Sequence, residues 1–152
     1  MEHPKTIRTV ALDGKSLTLE QFIAVARFGA KVSLTEEARQ ALARSRALAD
    51  KISSEKRVAY GITTGFGDFA TVAVSEDMSN QLSTNLILSH CTGTGDPYSV
   101  EQARGMMLLR ANALCRGISG VRPVLVEMLT ENSHTTAIPA RLQGFAGVSL
   151  TG

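Results

Sequence analysis

Signals that start α-helices recur along this chain, and they constrain its fold more than any other feature. Thr18 and Gln21 have the spacing of a capping box, and Ser99 and Gln102 repeat that spacing. Thr35 precedes two glutamates, which favour the positive end of a helix dipole. The sequence therefore predicts a mainly α protein.

Apolar and small residues recur at steps of three and four along the predicted helices, as in helices that pack on a core. We expect helices over 19–28 and from 36, 75, 100 and 123, and Gly29 should end the first of them. Arg110 shares a stripe with Met107 and Leu114, so we expect it to be buried beside a partner. The other positions predicted to lie on a helix stripe are Phe22, Val25 and Ala26, then Ala38, Leu42, Ser45, Ala49 and Ile52, then Met78, Leu82, Asn85, Leu86 and Ser89, then Val100, Ala103 and Ala111, then Val124, Leu125, Met128 and Leu129.

A short β element is predicted near the start of the chain. Residues from Thr6 to Leu12 favour extended structure, and Asp13-Gly14 is a turn signal that follows them directly. The fold class is therefore mainly α with a small β hairpin near the start.

Composition excludes several classes of function. The chain has 152 residues, 43% of them hydrophobic, which suits one domain with a core. Its net charge of +2 without a block of like charge argues against nucleic acid as a partner. We expect no signal peptide, no membrane span, no metal site and free thiols at Cys91 and Cys115, all consistent with a cytoplasmic protein.

Two glycine-rich segments carry the residues best suited to chemistry. The first, at 60–67, reads Tyr-Gly-Ile-Thr-Thr-Gly-Phe-Gly, and the second, at 85–95, reads Asn-Leu-Ile-Leu-Ser-His-Cys-Thr-Gly-Thr-Gly. Glycine allows positive φ and close backbone approach, so each segment could fold tightly over a small ligand. Tyr60 supplies a phenol and His90 an imidazole, and either group can exchange a proton or hydrogen bonds.

These segments resemble the aromatic amino acid ammonia-lyase and aminomutase family. A third segment at 108–122 also matches, so three motifs follow one another in the family's order. The resemblance covers about 6–139, and it implies that 1–152 form one N-terminal lyase-like domain with a divergent tail at 140–152. It also implies the helical N-terminal region of an ammonia-lyase fold.

The resemblance implies roles for four residues. Tyr60 matches the base that takes a proton from the amino acid, and Gly67 matches a glycine whose backbone lies beside the substrate. Ser89 and His90 match the pair that selects the substrate, and Ser-His is typical of histidine ammonia-lyases. Some tyrosine aminomutases of the family share this pair. Tyrosine or phenylalanine lyases and aminomutases therefore remain alternatives to conversion of L-histidine into urocanate and ammonia.

The family makes its electrophile, the prosthetic group MIO (4-methylideneimidazole-5-one), from an Ala-Ser-Gly tripeptide of its own backbone. The corresponding residues 148–150 read Val-Ser-Leu, and Ser149 is the degenerate counterpart of the serine. Leucine in place of glycine should obstruct ring closure, because glycine alone has no side chain in the way. We therefore expect that this chain does not form MIO by itself.

Partner expectations follow from the same resemblance. We expect a small amino acid as substrate, and a homo-oligomer or association with lyase subunits, since apolar helix stripes need cover. The chain could be a fragment, one piece of a split enzyme or the product of a frameshift. It could also be a non-catalytic interaction protein derived from the family, in which Tyr60 and His90 would be relics. A third alternative is a small-molecule-binding domain that uses the glycine loop without chemistry.

Overall fold

The computed structural model describes residues 3–59, 62–64, 81–82, 84–85, 87–89 and 98–133. Among them, four long helices surround a two-stranded sheet. In chain order the elements are β1 (Thr9–Leu12), α1 (Leu19–Phe28), β2 (Lys31–Leu34), α2 (Glu36–Ser54), α3 (Val100–Leu114) and α4 (Pro123–Ser133). The described residues in the range 81–89 are helical as well. The predicted mainly α class is confirmed.

The β element is a parallel pair rather than a hairpin. β1 and β2 run in the same direction, with Thr9 opposite Lys31 and Leu12 opposite Leu34. Helix α1 is the crossover between them, because parallel strands cannot be joined by a tight turn. Asp13-Gly14 still turns the chain, and Gly14 has a φ of 82° there.

Helix α1 begins and ends where the sequence predicts. The capping box between Thr18 and Gln21 is formed, and Gly29 closes the helix in the left-handed conformation with a φ of 66°. The amides of Gly29 and Ala30 donate hydrogen bonds to the carbonyls of Val25 and Ala24 in the last turn of α1. The chain then enters β2 directly. Local signals therefore fix the length of the crossover.

Helix α2 packs by the predicted stripe. The Thr35 hydroxyl accepts a hydrogen bond from the Ala38 amide at 3.2 Å and so caps the helix. Ala38 and Leu42 are 2% and 1% exposed, and the remaining stripe residues are partly buried. This stripe lies on the loop that joins α3 to α4, where the Gly120 amide donates to the Ser45 hydroxyl at 2.9 Å.

Helix α3 is the centre of the core, and Leu108 within it is fully buried. Its predicted capping box between Ser99 and Gln102 is formed. The buried arginine, however, is Arg104, which is 9% exposed, whereas Arg110 is only partly buried. The prediction chose the wrong arginine because apolar residues are distributed around the whole circumference of α3, so their spacing alone does not select a buried face.

Helix α4 begins at Pro123 as predicted, but it buries a different face. Val124 and Met128 are 50% and 54% exposed, while Val126 is fully buried. Thr130 is buried too, and its hydroxyl donates a hydrogen bond to the Glu127 carbonyl of its own helix at 2.8 Å. Burying a hydroxyl that already makes a hydrogen bond costs little free energy. A prediction based on apolar residues alone therefore gave the wrong buried face.

Ion pairs join helices at the surface of the described part of the chain. Arg27 of α1 pairs with Glu101 of α3 at 2.5 Å, and Arg39 of α2 pairs with Glu127 of α4 at 2.6 Å. All four side chains are substantially exposed, so each pair contributes at most about 1 kcal/mol to stability. The buried apolar residues, rather than these pairs, hold the helices together.

Candidate active site

The described residues contain only part of the predicted site. Tyr60, Gly67, His90 and Ser149 lie outside the residues that the structure describes, and so does the predicted helix start at 75. Ser89 lies at the end of the helical residues in the range 81–89, and its side chain is exposed. The structure describes the backbone on either side of positions 60 and 61, and helical residues that precede His90.

The chain reaches the first motif through the end of α2. The Glu55 amide donates to the Lys51 carbonyl at 3.0 Å, and the Arg57 amide donates to the Ile52 carbonyl at 3.1 Å. Between them, Lys56 has a φ of 52°, the left-handed conformation that ends many helices. The entry to the motif is therefore attached to the last turn of a helix whose other end lies in the core.

Hydrogen bonds made by Thr63 join the residues before and after positions 60 and 61. Its hydroxyl accepts a hydrogen bond from the Ala59 amide at 2.9 Å and donates one to the Arg57 carbonyl at 2.5 Å. The Ala59 carbonyl in turn accepts from the amides of Ile62 and Thr63 at 3.1 and 3.0 Å. The backbone immediately before and after positions 60 and 61 is thus joined by four hydrogen bonds.

The sequence analysis did not single out Thr63, although a signal was present. A threonine hydroxyl readily bonds to backbone groups a few residues away and so builds a local turn. Its neighbour Thr64 is 4% exposed, whereas Ile62 is 38% exposed, so burial increases along these three residues. Thr63 itself is partly buried.

The helical residues before His90 present polar groups outward in this chain. Gln81 donates from its side-chain amide to Asn85 at 2.9 Å, one helical turn away. Asn85 and Ser89 are both exposed, so the expectation that this stripe faces an interior is not met by the residues described. The Ser89 hydroxyl therefore lies on a surface that another part of the site would have to cover.

Among the described residues, two groups outside the two glycine-rich segments have shifted pKa values. Hydrogen bonds from the backbones of Ser16 and Lys15 lower the pKa of Asp13 to about 2. Burial, with a smaller contribution from the charge of Asp13, raises the pKa of Cys115 to about 11. Asp13 lies at the turn that follows β1, and Cys115 lies directly after α3.

No cluster of three metal-binding side chains occurs within the described part of the chain. In the same part, no helix combines the length and apolar content that crossing a membrane requires. An open groove of about 380 Å³ lies beside the first residues of β1 and β2. Lys5, Arg8, Phe28 and Lys31 contribute to its lining, and none of the predicted site residues does.

Comparison with known proteins assigns the chain to a family. A model of aromatic amino acid lyases matches residues 17–149. The histidine ammonia-lyase of Alkaliphilus metalliredigens is 45% identical over 132 residues, which cover 84% of this chain and 26% of that protein. That of Streptococcus gordonii is 45% identical over 130 residues, covering 86% of this chain and 25% of the relative. The chain thus spans about a quarter of the length of the curated relatives it matches.

Solved structures agree with this assignment. The histidine ammonia-lyase of Trypanosoma cruzi superposes with a TM-score of 0.75 at 35% identity, covering 83% of this chain and 25% of that one. The tyrosine aminomutase of Streptomyces globisporus superposes with a TM-score of 0.80 at 32% identity, covering 87% and 25%. The chain therefore belongs to the aromatic amino acid lyase family.

Proposed function

We propose that this chain is the N-terminal part of a histidine ammonia-lyase, an enzyme that converts L-histidine into urocanate and ammonia. The observation that carries the proposal is its 45% identity to proteins named histidine ammonia-lyase. The Ser89-His90 pair supports the same substrate. An imidazole side chain can donate one hydrogen bond to a substrate imidazole and accept another, which a leucine at that position could not do.

Tyr60 is the proposed base. A free phenol has a pKa of about 10 and removes protons poorly near neutral pH, so the site must favour the phenolate. Gly67 and Ser89 are proposed to lie beside the substrate, the glycine through its backbone and the serine through its hydroxyl. These roles rest on the match between the motifs of this sequence and those of the family.

The residues that would form MIO do not fit that group. We propose that residues 148–150, which read Val-Ser-Leu, stand where the family has Ala-Ser-Gly. Leucine at the position of the glycine would obstruct ring closure with its side chain. We propose that Ser149 is not converted and that the chain alone is inactive. Mass spectrometry of the purified chain tests this directly, since ring formation removes two waters. A mass lower by two waters would refute it.

Substrate choice is tested by binding, which does not require turnover. We expect L-histidine to bind more tightly than L-tyrosine or L-phenylalanine in calorimetry, and His90→Leu to abolish that preference. Phe66→Leu, a change of similar size within the first motif, serves as the matched control and should leave the order of affinities unchanged. Equal affinity for all three amino acids would contradict the assignment to histidine.

An aminomutase is the second candidate, supported by the TM-score of 0.80 to the tyrosine aminomutase of Streptomyces globisporus. The two functions differ in what happens after ammonia leaves, because an aminomutase returns it to the neighbouring carbon. Tighter binding of L-tyrosine than of L-histidine would favour this candidate. A non-catalytic family member would bind neither amino acid and would instead co-purify with a complete lyase.

We further propose that the chain acts in the cytoplasm and associates with copies of itself or with lyase subunits. Val124 and Met128, which lie one turn apart on α4, are 50% and 54% exposed and support an interface. Light scattering after size exclusion tests the proposal: a monomer at all concentrations, which also fails to bind a complete lyase, would contradict it.

A further inference from the structure

We propose that Thr63 is a positioning residue for Tyr60, and that its hydroxyl, rather than its bulk, performs this role. The inference rests on the proposed function of Tyr60 as base. In the described structure, the Thr63 hydroxyl bonds to the Ala59 amide at 2.9 Å and to the Arg57 carbonyl at 2.5 Å. Tyr60 follows Ala59 directly in the sequence.

A single hydroxyl can make both bonds because it has one proton to donate and lone pairs to accept with. The Ala59 amide lies on the entry side of Tyr60, and Thr63 lies on its exit side. The bond between them therefore limits how far the two sides can separate. The two bonds to the Ala59 carbonyl, from Ile62 and Thr63 at 3.1 and 3.0 Å, limit the same separation.

The motif needs such a constraint because three glycines follow the tyrosine within seven residues. Gly61, Gly65 and Gly67 each permit many backbone conformations, and a loop of this composition would not hold a phenol in one place by itself. Displacement of a reacting group by about 1 Å can lower the rate of a reaction about 100-fold. A side chain that fixes the backbone on both sides of the base therefore acts on catalysis without touching the substrate.

Four substitutions separate the hydroxyl from the bulk of the side chain. Thr63→Ser keeps the hydroxyl and loses the methyl group, whereas Thr63→Val keeps the volume and loses both bonds. Thr63→Asn can again both accept and donate through its amide. If T63V fails to fold by circular dichroism, T63A replaces it, because T63A also removes the hydroxyl without adding volume.

The chain offers a clean measurement because it has two tyrosines and no tryptophan. In a Tyr98→Phe background, alkaline titration of the phenolate absorbance reports Tyr60 alone. We expect T63V to change the midpoint, and T63S and T63N to retain the midpoint of the unsubstituted chain. Hydrogen exchange of the Ala59 amide should accelerate in T63V and remain slow in T63S.

Two results would overturn the inference. One is the same titration midpoint in T63V, T63S and the unsubstituted chain, which would mean that the hydrogen bonds do not position the phenol. The other is a shift in T63S that is as large as the shift in T63V or larger, which would mean that the hydroxyl alone does not account for the effect. Neither result bears on histidine binding, and failure of that separate assay would reject the proposed function while leaving the titration result intact.

Discussion

Gly117 should tolerate alanine much less well than Gly29, although both have a φ of 66°. A Cβ built on Gly117 would lie 2.6 Å from the carbonyl carbon and the Cβ of Ala41 on α2. On Gly29 the nearest atom would be Nη1 of Arg104, at 3.9 Å, which is an ordinary contact. The two positions therefore share the backbone strain and differ only in the space available.

The expected magnitudes follow from that difference. A left-handed conformation costs a residue with a side chain about 1–2 kcal/mol, and this applies to both substitutions. Gly117→Ala must also move either α2 or the loop, and overpacking of this kind costs about 1–3 kcal/mol more. Because the obstacle is partly backbone, no rotation of a side chain can relieve it.

Urea unfolding followed by circular dichroism measures both variants against the unsubstituted chain. We expect Gly117→Ala to lower the free energy of unfolding by about 1–3 kcal/mol more than Gly29→Ala does. In thermal unfolding the extra loss is about 2–4 °C for each kcal/mol in a chain of this size. Equal losses for the two variants would refute the packing of the loop on α2.

Three further outcomes are expected from the described residues. Leu108→Ala, at a fully buried position, should cost about 2–5 kcal/mol in urea unfolding, whereas Leu109→Ala next to it, where the side chain is 53% exposed, should cost less than about 0.5 kcal/mol. The pKa of Asp13 is lowered from 3.8 to about 2 on folding, so its stabilising effect is present above pH 4 and is lost as pH falls toward 2; Asp13→Asn should flatten the pH dependence of Tm in that window. Cys115, whose pKa is raised to about 11 by burial, should resist thiol reagents at pH 8 until the chain unfolds in denaturant.

Local sequence signals predicted the ends of the helices because the interactions responsible are local. The capping box at Thr18 and the left-handed Gly29 each involve residues within one turn of the helix end. Neither needs a partner from elsewhere in the chain. The same holds for the start of α4 at Pro123, whose fixed φ suits a first helical turn.

The errors arose where distant parts of the chain decide the outcome. Asp13-Gly14 is a turn signal in either topology, and only the pairing of β1 with β2 makes the strands parallel. The choice of Arg104 over Arg110 as the buried arginine depends on where α1 crosses α3. Spacing along one helix contains no information about its neighbour, so neither result could be obtained from periodicity.

The candidate site divides in the same way. Motif matching identified Tyr60 and His90 as residues with chemical capability, but it does not identify the groups that hold them. Thr63 became visible only when its bonds to Ala59 and Arg57 could be measured. A residue that acts through another's backbone leaves a weak signal, because the same residue type is common in ordinary turns.

Scaffold and positioning can be separated by combining two of the substitutions above. Gly117→Ala is expected to lower stability through α2 while leaving the Thr63 hydroxyl in place. Thr63→Val is expected to remove that hydroxyl while leaving the packing of Gly117 on α2 in place. If Thr63 positions the phenol specifically, only T63V moves the titration midpoint of Tyr60, even where G117A is the less stable variant. If G117A moves the midpoint as far as T63V does, the phenol responds to any loosening of the fold. Thr63 would then be one structural residue among many rather than the group that orients the base.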